Sequence, residues 1–313
     1  MAQAQKKPLI MWQPPMLKVL TALVPLMLAS IYLFGWRSLL NLAVVNAIGF
    51  LCEFLFARAY KQQVTSAVFV TGCLFALSLP PTVPLWMAAV GIAFGVTFGK
   101  MVFGGFGRNI FNPALSARAF LYVTFVVPMS SWVAPFSTFP AGFSRFAADA
   151  VSQATPLDAL AAGEQLRWID LFLGTSAGSY GETSALLVLI GGLYILLRKV
   201  ASHRVVLAAV GGFLALQVVF WAAGVGSAVD PVSAVLSGSF LFGALFMATD
   251  PVSASQTTNG GRWIYGLLIG LLTVLIRTFS VWPEGVTFAI LLANMFAPLL
   301  NRLMRSAKKA RPR

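Results

Sequence analysis

The sequence predicts an all-α integral membrane protein, and three observations carry that prediction. Hydrophobic residues make up 58% of the chain and charged ones 10%, with a mean hydropathy of +0.84. A soluble domain of this size needs about 25% charged residues to cover its surface, so the natural solvent is a bilayer. Apolar runs of near-spanning length recur from end to end. Basic residues gather at the ends of those runs and alternate in density from one connection to the next, which is the mark of membrane sidedness. The net charge of +13 therefore reads as topology. Nucleic-acid binding is set aside, because no basic stripe is interleaved with aromatic side chains.

Taken in order, the runs fall at about 16–36, 38–58, 64–80, 84–103, 112–129, 183–200, 204–223, 232–250, 263–280 and 284–303, which gives about ten transmembrane helices. Lys6 and Lys7 ahead of the first run look like the start of a signal peptide. That run is long enough to span and shows no small-residue cleavage site, so it reads as a first membrane helix. With a cytoplasmic N-terminus, the inner connections hold Arg58, Lys61, Lys100, Arg108, Arg198, Lys199, Arg204 and Arg262. The basic tail 304–313 lies on the same side. The outer connections hold only Arg37, Arg145 and Arg167, with Arg277 near a helix end. Both termini are thus expected in the cytoplasm, and the long segment 130–182 outside it.

A duplication is visible in this order. Gly72-Cys73-Leu74-Phe75 leads to Pro80 with the spacing by which Gly243-Ala244-Leu245-Phe246 leads to Pro251, and each then continues to a tryptophan, Trp86 or Trp263. The copies lie on the third and eighth runs, so an odd shift of five puts them in opposite orientation. Two inverted five-helix repeats, 1–129 and 183–303, follow as the expected plan, with broken helices meeting at a site.

Acidic residues inside apolar runs are the candidates for chemistry, since each costs about 2.5–3.5 kcal/mol at a helix centre. Glu53 lies about one turn before Arg58, and pairing between those two is the ordinary alternative to a functional role. Phe242, Phe246 and Asp250 are spaced to share one helix face. Core packing remains open for the two rings, and a helix-terminal turn for Asp250, which Pro251 follows. Asn112-Pro113 is a helix start with cap and first-turn proline. By the sidedness above, Asn112 and Asp250 end on the same membrane side and are expected to meet in one polar pocket. Gly104-Gly105-Phe106-Gly107-Arg108 reads as a turn, since a phosphate loop needs a preceding strand and a Gly-Lys-Ser/Thr ending. Cys52 and Cys73 read as packed thiols and His203 as part of a basic anchor, so no metal site is expected. The segment from Asp149 to Asp158, Asp-Ala-Val-Ser-Gln-Ala-Thr-Pro-Leu-Asp, stands in a stretch too long for a mere connector. Composition and spacing alone leave a solute channel or transporter as good a reading as a redox subunit.

Several of these stretches resemble one family closely: RnfD of the Rnf electron-transport complex and its relative NqrB of the sodium-translocating NADH:quinone oxidoreductase. They are Phe103 to Asn109 with Asn112-Pro113-Ala114-Leu115, Ser152 to Leu157, Gly181 to Ser184, Met247 to Ser255, and Pro283-Glu284-Gly285. The loop wording and chain length are more like the Rnf protein; the Asn112 and Met247 stretches are more like the quinone-reductase protein. The resemblance implies a urea-transporter-like scaffold in a bacterial inner membrane, multi-pass. It implies FMN joined by a phosphoester to Thr155, with Ser152 and Ala154 leaving access. It also implies a noncovalent riboflavin contacted by Asn112 and Asp250, and an ion path that includes Glu53, Phe242 and Phe246. The implied role is passage of electrons between FMN and riboflavin inside a redox-driven ion-translocating complex, with no complete activity in this chain alone. Implied partners are a second protein with covalent FMN, an NADH/iron–sulfur protein, a flavin transferase and membrane lipid. Two departures weaken the inference to sodium: Met101 where the quinone-reductase branch often has Glu, and Asn301 where many relatives have Asp.

Overall fold

A computed structural model describes residues 8–135, 155–164, 166–226, 228–254, 256, 258–280 and 285–310, the side chains of 307–310 excepted. Helices carry nearly all of the regular structure. Helix α1 (Pro14–Phe34) begins with two prolines in its first turn, where their missing N–H groups cost nothing, and stops at Gly35 with φ +75°. α2 (Trp36–Ala59) follows at once. α3 (Ala67–Leu77) and α4 (Leu85–Val96) are shorter, and α4 is prolonged by a π turn over Thr97–Met101. α5 (Pro113–Thr124) and α6 (Val126–Met129) close the first half. α7 (Pro156–Ala161) and α8 (Trp168–Leu173) are short pieces of the connecting segment. The second half contains α9 (Ala185–Leu197), α10 (His203–Ala222), α11 (Pro231–Leu236), α12 (Phe240–Phe242) with a π turn over Gly243–Met247, α13 (Asn259–Phe279) and α14 (Val286–Ala310).

Helix thus falls within each of the ten apolar runs. Among the described residues, five helices are long and apolar enough to cross a membrane: α1, α2, α10, α13 and α14. Their outward faces carry large apolar side chains, Leu28, Leu55, Leu207 and Leu303 among them, each more than half exposed. Lipid tails cover such surface without penalty, so helix association inside a bilayer rests on close packing rather than on a hydrophobic drive. Two glycines on α13 show how close. A Cβ at Gly266 would lie 2.4 Å from the Val205 carbonyl oxygen, and one at Gly270 would lie 2.2 Å from that of Ala209, both on α10.

Three of the ten runs differ from the continuous helices expected. In the third, Val64 and Thr65 are extended and pair in parallel with Ile10 and Met11, and helix begins only at Ala67. The fifth breaks at Phe125 (φ −129°, ψ 60°). Pro128 explains the break, because it lacks the N–H that would bond Thr124 and its ring would clash with that carbonyl. The eighth breaks at Ser237-Gly238, where Gly238 adopts φ +67°, a conformation that favours glycine. Asp250 lies beyond the π turn that ends this run, outside the helix. The single helical face expected for Phe242, Phe246 and Asp250 is therefore replaced by a π turn followed by a bend.

The packing partners repeat between the halves. In the first half α2 packs on α3 and α4, α4 on α5, and α1 and α5 on α3. In the second, α10 packs on α11, α13 and the second π turn, α13 on α14, and α9 and α14 on that π turn. The halves join through α1 against α9 and α5 against α14.

Candidate functional site

Two polar cavities lie toward opposite ends of α9. The first has an empty volume of about 620 Å³ and is lined by Lys100, Phe106, Asn112, Phe246, Thr249 and Asp250, with Ile195 from the end of α9. Each side chain is placed by a local feature of the sequence. Asn112 caps α5: its Oδ1 accepts from the N–H groups of Ala114 (3.0 Å) and Leu115 (3.4 Å). Its Nδ2 donates to the Met247 carbonyl at 3.4 Å, crossing 135 residues of sequence. Gly95 permits this placement, because a Cβ there would sit 2.4 Å from the Pro113 carbonyl oxygen. Asp250 Oδ2 accepts from the Ser253 N–H (3.0 Å) and hydroxyl (2.5 Å), so one carboxylate oxygen is committed to a turn. The meeting of Asn112 and Asp250 in one pocket is as expected. Phe246 lines the cavity; Phe242, 1% exposed, packs behind it with ring centroids 5.4 Å apart.

Glu53 does not pair with Arg58. Its Oε2 receives Lys100 Nζ at 2.5 Å, and its Oε1 accepts from the Thr65 N–H (2.8 Å) and hydroxyl (2.7 Å). Lys100 Nζ also donates to Thr65 Oγ1 at 2.9 Å, and both charged side chains are 2% exposed. Lys100 belongs to the π turn that prolongs α4 and is buried, where the sequence placed it in an inner connection. A buried carboxylate and ammonium are tolerable only in such mutual company.

The second cavity, about 440 Å³, lies at the start of α9 and is lined by Trp132, Thr155, Leu171, Glu182, Leu236 and Ser237, among others. Thr155 is the N-cap of α7 in a reciprocal capping box. Its Oγ1 accepts from the Asp158 N–H (3.1 Å) and donates to Asp158 Oδ2 (2.6 Å), and the residue is 7% exposed. Ser152 and Ala154, expected beside it, lie outside the described residues, as does Asp149.

Glu182 belongs to a second buried ion pair, which sequence reasoning missed. Arg118 Nη1 on α5 reaches Glu182 Oε1 at 2.8 Å, and Ser179 Oγ donates to Oε2. One signal was present: an arginine in the middle of an apolar run requires a partner. Nearby, burial pushes the Tyr180 phenol up, keeping it neutral, and its hydroxyl donates to the Pro81 carbonyl at 3.3 Å. Arg277 near the end of α13 donates to the carbonyls of Ala234 (2.7 Å) and Ser237 (3.2 Å), clasping the break in the eighth run.

An apolar helical body with lipid-facing flanks, broken short helices and two internal polar cavities defines a multi-pass membrane protein with interior binding sites. The sequence model of the NQR2, RnfD, RnfE family matches residues 10–309. A Na(+)-translocating NADH-quinone reductase subunit from Ectopseudomonas mendocina is 43% identical over 282 residues, covering 85% of this chain and 66% of that one. The subunit of the same name from Pseudomonas aeruginosa is 44% identical over 277 residues, covering 83% and 65%. That from Klebsiella pneumoniae is 42% identical over 303 residues, covering 87% and 70%. The chain spans about two thirds of the length of these relatives. It belongs to the NQR2, RnfD, RnfE family.

Proposed function

We propose that this protein is the flavin-carrying membrane subunit of a redox-driven, ion-translocating complex, with FMN esterified to Thr155 and riboflavin held near Asn112 and Asp250. The relatives named above are all quinone-reductase subunits, which favours that branch over the ferredoxin-linked one. The observation that carries the reading is the convergence of Asn112 and Asp250, 138 positions apart in the chain, on one cavity beside Phe246. Its volume of about 620 Å³ falls in the range of sites for cofactor-sized ligands, roughly 300–1,000 Å³. Its mixture of apolar walls and a few placed polar groups suits a planar amphipathic ring.

When bound, flavins supply the electron-transfer chemistry, and the protein supplies position and exclusion of water. Asn112 and the second carboxylate oxygen of Asp250 are the groups that would orient the noncovalent flavin. At Thr155, an ester on Oγ1 retains the acceptor role toward the Asp158 N–H and gives up the proton now donated to Asp158 Oδ2. The two cavities are bridged by one stretch of chain: Gly238 lines the second and Phe246 the first, about 12 Å apart at helical rise. Glu53, Phe242 and Phe246 are the side chains proposed for the ion path. A cation taken up at Glu53 must displace Lys100, since that ammonium already neutralises the carboxylate.

Repetition of helix partners between the halves supports a scaffold of two inverted five-helix repeats. So does the placement of one buried cation, Lys100 or Arg277, near the end of the fourth span of each half. The alternation of Arg and Lys in the sequence supports cytoplasmic termini in a bacterial inner membrane, with Thr155 on the far side. The test is a denaturing gel viewed under ultraviolet light after coexpression with a flavin transferase. A fluorescent band lost in Thr155→Ala is expected; a dark wild-type band would favour a channel or transporter.

A further inference from the structure

We propose that the cavity walled by Thr155 is the seat of the flavin ring attached to that same residue, with Ser237 and Trp132 as the groups that hold it. This rests on the flavin reading above and goes further by assigning the pocket. Three features of the cavity carry the inference. Thr155 is itself part of the wall, so a group tethered to its oxygen enters at high effective concentration. Ser237 is 1% exposed and lines the cavity, and its hydroxyl has no hydrogen-bond partner among the described residues. Native interiors rarely leave a buried hydroxyl unpaired, and each exception calls for an explanation such as a missing ligand group. The carbonyl oxygens and ring nitrogens along one edge of an isoalloxazine are suitable partners.

The remaining wall matches the rest of such a ring. Trp132, 4% exposed, together with Leu171 and Leu236, presents apolar surface to the dimethylbenzene end. Glu182 adds a charge in name only. Its two oxygens are taken by Arg118 and Ser179, so the wall there is a closed ion pair, compatible with a neutral ring. The main-chain clasp of Arg277 on the Ser237 carbonyl fixes the serine hydroxyl in place.

The experiment compares emission and absorption of the covalent flavin in the native purified protein and after unfolding, normalised to the fluorescent gel band. In the wild type, a ring stacked in a tryptophan-walled pocket is expected to emit several-fold less than after unfolding. Trp132→Leu, which removes the quencher, and Ala177→Phe, which fills the cavity, should each raise native emission toward the unfolded level. Ser237→Ala should shift the flavin absorption bands while leaving the gel band unchanged. If the band persists but neither emission nor absorption responds to any of the three variants, the ring lies elsewhere and the cavity is not its seat. If the wild-type band is absent, the flavin reading fails and the seat fails with it.

Discussion

Breaking the Glu53–Lys100 pair by Lys100→Met should be among the most damaging single substitutions in the protein. The charges stand 2.5 Å apart with both side chains 2% exposed. At an effective dielectric of about 20 their attraction is roughly 7 kcal/mol, largely offset by a desolvation cost of several kcal/mol per ion. The pair is therefore near break-even, whereas removal of one partner leaves a buried uncompensated charge, at a cost of about 3–5 kcal/mol. Glu53→Gln should cost less than Lys100→Met, because the Lys100 ammonium keeps its 2.9 Å bond to Thr65 Oγ1. The double variant Glu53→Gln/Lys100→Met should recover most of the loss, since neither charge remains. Unfolding in mixed micelles of increasing SDS content measures the series, and the coupling emerges from the four free energies. A Lys100→Met protein as stable as the wild type, or a double variant no better than the worse single, would refute the argument.

Three further outcomes are expected. Asp250→Ala should lower bound riboflavin while leaving covalent FMN unchanged, as read by acid extraction followed by chromatography; unchanged riboflavin would remove Asp250 from the site. Gly270→Ala should destabilise the α10–α13 contact by about 1–3 kcal/mol, the usual cost of overpacking, because the new Cβ meets the Ala209 carbonyl oxygen at 2.2 Å; the same SDS titration checks it, and an unaltered midpoint would contradict the packing. Glu182→Gln should cost a similar or larger amount by leaving Arg118 buried without its counter-charge. Retention of full stability there would show that the pair contributes little.

Hydropathy made the ten helical regions legible, because a bilayer imposes length and composition directly on the chain. The role of Asn112 was legible for a local reason: an Asn before Pro at a helix start caps the helix, and here it does. Its meeting with Asp250 followed from counting sides of the membrane. What stayed hidden depended on tertiary contact or on local backbone geometry. Arg58 was the nearer partner for Glu53 in sequence, yet Lys100 reaches the carboxylate from the π turn. Arg118 and Glu182 are 64 residues apart, and nothing local joins them. The Gly238 break escaped notice because a single glycine in an apolar run is tolerated often enough to carry little signal. Phe125 broke for a reason that was readable, Pro128, and the continuous run of apolar residues obscured it.

The most direct test of the account is the mass of the Thr155-bearing peptide, taken from the protein purified from its native host. The account predicts that this peptide carries one FMN less the water lost on esterification, fragmenting at the threonine oxygen, and that Thr155→Ala abolishes the adduct. A fully occupied peptide of unmodified mass would contradict it.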